Sequence, residues 1–133
     1  MLRQRLIITN NPLVRDAIPD TRLSLHNLIW IDGCTEEVLT EVRNYCHKFH
    51  RLITHPLTGS IKPNQTPYKT VIIAANDKNL IDYESILTSE MSLSKTLDML
   101  TNKPRPIYNQ SVLTDFAVID LAFFQSYLET IHH

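Results

Sequence analysis

Tyr68-Lys69-Thr70-Val71-Ile72-Ile73-Ala74-Ala75 reads as the strongest strand of this chain, because its continuous apolar run implies burial on both faces of a sheet. A doubly buried strand points to an α/β fold. Immediately before it lies a connection of about a dozen residues, which begins near Thr54 and holds Pro56, Pro63 and Pro67 together with Gly59, one of only two glycines. Loops of that length in a small domain are usually functional or disordered. Three prolines fix three φ angles and restrict the residue before each, so this loop is expected to be stiff.

Upstream of the loop, Arg51–Thr54 is expected to be a short third strand. Thr35, Glu36 and Glu37 form a good helix start, a capping hydroxyl followed by carboxylates at the positive end of the macrodipole. Val38, Leu39, Val42, Tyr45, Cys46 and Phe49 then recur at helical spacing to about His50. Leu25–Asp32 reads as the second strand and Arg5–Thr9 as a buried first strand ended by Asn10, Asn11 and Pro12. Between those two, Leu13–Ile18 is expected to be a brief helix with Asn11 as N-cap, stopped by Pro19. Downstream, a helix from Tyr83 to Asn102 is expected to bury Ile86, Leu87, Leu93, Leu97 and Leu100. A last helix over 112–131, capped by Ser111, is expected to bury Val112, Phe116, Ile119, Phe123, Tyr127 and Ile131. The order predicts a single α/β domain over residues 1–133, a three-layer sandwich with a small, mostly parallel four-stranded sheet and helices on both faces. No helix separates the third and fourth strands, so that pair can be antiparallel and the sheet mixed.

The chain has 133 residues and a net charge of −1, so no strong global field drives non-specific binding to nucleic acid or anionic membrane. No hydrophobic stretch reads as membrane-spanning, and the N-terminus lacks a signal-peptide pattern, so a cytoplasmic chain with Cys34 and Cys46 reduced is expected. Charge is uneven locally: from Val42 to Asn76 there is no Asp or Glu, while Arg43, Lys48, Arg51, Lys62 and Lys69 are all basic. No aromatic ladder accompanies them, so nucleic acid ranks below a small ligand as partner.

In open α/β sheets ligands bind beyond the carboxyl ends of the strands, and the Asn10-Asn11 turn and the 54–69 loop both leave strands there. The expected ligand-binding set is Asn10, Asn11, His55, Thr58, Gly59, Ser60, Lys62, Asn64, Thr66 and Lys69. Gly59 permits an unusual turn, hydroxyls and amides can donate, and the lysines supply charge for an anion. Thr58-Gly59-Ser60-Ile61-Lys62 lacks the Walker A spacing. Cys46, His47, His50 and His55 lack a second ligand pair at zinc spacing, so neither a metal nor another cofactor is expected. His55 is the one candidate acid or base, and no Ser/His/Asp set assembles.

The run His55-Pro56-Leu57-Thr58-Gly59-Ser60-Ile61-Lys62-Pro63-Asn64-Gln65-Thr66-Pro67-Tyr68-Lys69, preceded by His50-Arg51-Leu52, resembles the signature of the GrdX family, and Ile8-Thr9-Asn10-Asn11-Pro12 is similar to its opening. Those are small proteins encoded beside glycine, sarcosine or betaine reductases of amino-acid-fermenting anaerobic bacteria. The resemblance implies a cytoplasmic accessory role near a selenium- and thiol-dependent reductase that makes acetyl phosphate, and it carries over no catalytic residues. Three classes remain open. The chain is an accessory protein whose loop binds a small anionic ligand or a reductase subunit; an enzyme on a small phosphorylated or carboxylated substrate, with His55 as acid or base and Ser60, Lys62 and Lys69 orienting the anion; or an interaction module such as a homodimer.

Overall fold

The computed structural model describes residues 5–21, 23–24, 27–59 and 61–130. The strands are β1 (Arg5–Thr9), β2 (Leu28–Trp30), β3 (His50–Leu52) and β4 (Thr70–Ala75), and the helices are α1 (Pro12–Ala17), α2 (Thr35–Cys46), α3 (Tyr83–Asn102) and α4 (Gln110–Thr130). Leu25, Ser60, Ile131, His132 and His133 lie outside the described residues, so the expectations placed on them do too.

The sheet order is β2-β1-β4-β3. Only β1 and β2 run parallel, with Ile7 opposite Leu28 and Thr9 opposite Trp30. β4 is antiparallel to both neighbours, Thr9 opposite Thr70 on one side and Leu52 opposite Ile73 on the other. The expectation of a mostly parallel sheet is therefore corrected to an open mixed one. Its cause is the helix-free connection: the chain leaves β3 and returns through the loop on the same edge, so β4 must run backwards. That edge also holds the carboxyl ends of β1 and β2.

Val71, Ile72, Ile73 and Ala74 are buried, as their unbroken apolar run requires. Alternate residues enter different clusters. Ile8, Val71 and Ile73 pack with Val38, Leu39, Val42 and Cys46 of α2 and Leu93 of α3. Ile7 and Ile72 pack with Val14 of α1, Ile18, Leu23, and Phe124 and Leu128 of α4. Cys46 belongs to the first cluster, and burial pushes its thiol pKa up.

Both long helices present a different face from the one their large side chains suggest. In α3 the buried line is Ser85, Ser89, Ser92, Leu93 and Thr96, whereas Leu87 is 61% exposed and Leu97 46%. The buried hydroxyls bond within the helix, Ser89 to the Ile86 carbonyl, Ser92 to that of Thr88 and Thr96 to that of Ser92. Their polarity is thereby satisfied. Arg43 of α2 and Glu90 of α3 add an ion pair at the rim, 3.5 Å apart. In α4 the buried line is Ala117, Phe124 and Leu128. Phe116, Ile119 and Phe123 turn instead towards the loop. The α4 cap is Asn109, whose Oδ1 accepts from the Val112 amide at 3.0 Å, and Ser111 lies inside the helix. Contrary to the expectation drawn from sequence, α4 is long and apolar enough to cross a membrane by length and composition; it packs Phe124 and Leu128 against the sheet.

Candidate functional site

The second half of the loop is pinned. Asn10 Nδ2 donates to the Pro67 carbonyl at 2.9 Å and to that of Gly33 at 3.0 Å, while its Oδ1 accepts from the Lys69 amide. Nearer its middle, Arg105 donates to the Pro63 carbonyl, to Thr35 Oγ1 and to Glu36 Oε1. Asn64 Nδ2 donates to the Lys103 carbonyl, and the Tyr108 hydroxyl to that of Gln65. The three prolines thus act together with five cross-chain ties.

This rigid loop and α4 enclose two small adjoining cavities that share Thr58, Lys69, Asp120 and Phe123. Their volumes are about 20 and 40 Å³. Each is large enough for at least one water-sized group. Lys69 is only 8% exposed, and among the described residues its Nζ donates one hydrogen bond, to the Thr58 carbonyl at 3.3 Å. An ammonium has three donors, so most of its bonding capacity faces the cavity. Burial pushes the Lys69 pKa down, against the opposing charge of Asp120. No ion pair closes between them among the described residues.

Asp120 is held from behind. Its Oδ2 accepts from Thr70 Oγ1 at 2.6 Å and from Asn11 Nδ2 at 3.0 Å, and Thr70 Oγ1 lies 2.8 Å from Thr9 Oγ1. The paired end residues of β1 and β4 therefore fix the carboxylate opposite the amine. Tyr127 lines the larger cavity, and its buried hydroxyl has no hydrogen-bond partner among the described residues. Burial pushes its pKa up, outweighing Arg5 and Arg51, so the phenol keeps its proton.

Gly59 closes the cavity roof with φ at +115°, and a Cβ there would stand 3.2 Å from Phe123 Cε2. Gly59→Ala is expected to cost about 2 kcal/mol through backbone strain and this contact. Urea unfolding of the variant checks it.

A family model described as GrdX-like protein matches residues 6–129. The chain belongs to the GrdX-like family. No curated protein and no solved structure matches it. The GrdX-like match runs from β1 into the last turn of α4, so it contains both walls of the cavity.

Within this GrdX-like fold the expected site residues divide. Lys69, Thr58, Gly59 and Thr66 line the α4-side cavities. Asn10 and Asn11 lie at the same edge but are spent on structure, the first on the loop and the second on capping α1 and bonding Asp120. Asn64 is buried against residue 103, and Lys62 is exposed. His55 faces the other way, lining grooves against α3 with Asp82 and Ser85 on one side and Met91 and Lys95 on the other. Its Nδ1 accepts from the Leu57 amide, so it holds its own turn. His55 and Lys69 are thus not brought to one cavity. Cys46, His47 and His50 are likewise dispersed, and no group of three or more His, Cys, Asp or Glu side chains converges among the described residues. Asp120, Thr70 and Tyr127 are the cavity residues that sequence reading missed. The available signal was Asp120 itself, a carboxylate amid the apolar residues of α4.

Proposed function

We propose that the chain is an accessory component of a glycine, sarcosine or betaine reductase system and holds a small anionic ligand beside Lys69, beneath the 54–69 loop. Family membership supports the first half. The second is carried by one observation, the buried Lys69 amine with a single protein partner and a cavity in front of it. Charged groups are buried where something compensates them, and Asp120 does so only through space. An anion in the cavity completes the pairing.

Size and charge narrow the ligand class. The small cavities beside Lys69 favour a small anion such as a two-carbon carboxylate over the bulkier acetyl phosphate. Asp120 opposite the amine disfavours a dianion for the same reason, and a monocarboxylate can turn its uncharged end towards that residue. The role is holding a ligand. His55, the acid–base candidate, faces α3 and does not reach this cavity.

Thermal melts with acetate, glycolate, inorganic phosphate and acetyl phosphate test the proposal. A carboxylate at a hundred times its dissociation constant adds about 2.7 kcal/mol, expected as a rise of several degrees in the wild type and a much smaller one in Lys69→Met. No shift from any of the four, or equal shifts in both proteins, overturns it.

A further inference from the structure

We propose that Lys69 is a reactive amine that condenses with a two-carbon aldehyde or oxoacid in the α4-side cavity and captures it as an imine. The inference rests on the reading that this cavity holds a small ligand. Two groups line the larger cavity in complementary roles. Lys69 is the nucleophile, walled by Ile72, Phe123 and Phe124. A lysine held down in pKa by burial has more free amine at neutral pH than an exposed one. Asp120 is the carboxylate placed to accept a proton.

The step balances without an oxidant or a further reactant. The Nζ lone pair attacks the carbonyl carbon and the C–N bond forms. Nζ gives up two protons in all, relayed one at a time through Asp120, and the carbonyl oxygen takes both. That oxygen departs as water when the C–O bond breaks, leaving C=N, and Asp120 returns to its starting protonation. Phe123 and Phe124 wall the cavity, which favours a partner as small as two carbons.

The test is reductive trapping on the wild-type chain. Glyoxylate with cyanoborohydride at neutral pH leaves a carboxymethyl group on each lysine that formed an imine, and peptide mass mapping ranks the sites. Exposed Lys62 serves as the internal reference. Lys69 is expected to be modified faster than Lys62, because burial leaves more of it as free amine. Glycolate, which has no carbonyl to condense, is expected to slow Lys69 alone. Modification of Lys69 no faster than of Lys62 overturns the inference. If glycolate still raises the melting temperature in that case, the ligand site stands and only the covalent step falls; if it does not, both fall.

Discussion

Asn11→Ala lowers stability by about 3 kcal/mol, the sum expected for a lost N-cap and a lost hydrogen bond to a carboxylate. For a domain of this size that is a fall of roughly 10 °C in melting temperature. Asn11 is fully buried, and each side-chain atom has a task. Its Oδ1 accepts from the Leu13 amide to start α1, and its Nδ2 donates to the Ala117 carbonyl and to Asp120 Oδ2, both on α4. One side chain therefore couples the end of β1 to two helices and positions the cavity carboxylate. Alanine at this position leaves the Leu13 amide and Asp120 short of a partner, which is the costly way to lose a hydrogen bond. Asn11→Asp separates the two tasks: the cap survives, but a second carboxylate faces Asp120. Thermal melts of both variants are expected to show losses, with the Asp variant recovering stability as pH falls and carboxylates protonate.

Lys69→Met weakens binding of a small carboxylate by between about tenfold and a hundredfold, the range for losing a hydrogen bond to a charged group. The same change raises stability at pH 7 by about 1 kcal/mol, since an apolar side chain replaces a buried charge. The pH dependence follows from the direction of the Lys69 shift. Its pKa is lowered in the folded chain, so between that value and about 10.4 the unfolded state binds more protons. Stability from this group is therefore lowest below the folded pKa and rises with pH through the window. Urea titrations from neutral to alkaline pH are expected to show this rise in the wild type and its absence in Lys69→Met. Ligand affinity runs the opposite way: an anion favours the ammonium, so affinity falls as pH rises through the free-state pKa.

The sheet was legible where composition leaves one choice. Val71–Ala74 cannot be exposed, and their burial fixes β4 inside the sheet. The loop-bearing edge and the Asn10-Asn11 turn were legible too, because strand ends fall where the apolar runs stop. Strand direction was not, since it depends on whether the loop crosses over or doubles back, and a proline-rich dozen residues can do either. The helical faces failed for a different reason. On a helix each residue turns by about 100°, so a stripe shifted by one position in α4 moves Phe123 from core to cavity wall and puts Phe124 in its place. In α3 serines take the buried positions because their hydroxyls bond the preceding turn, which hydrophobicity alone does not reveal.

The same shift hid half of the site. Lys69 was visible as a basic residue ending a stiff loop, but its counterpart Asp120 lies fifty-one positions away on a helix read as core. The asparagines were visible as polar residues at the right edge, and the structure spends Asn10 and Asn64 on holding the loop and Asn11 on capping α1 and bonding Asp120. Polar side chains beside a ligand cavity are as often its scaffold as its contacts, and only hydrogen-bond partners distinguish the two.

The most direct measurement of the central claim is an NMR pH titration of the Lys69 side chain, free and with saturating glycolate. The buried site predicts that the free amine titrates below the ordinary lysine value and moves upward when the anion binds. An ordinary lysine titration, unmoved by glycolate, would contradict both the burial of this amine and its role in holding a ligand.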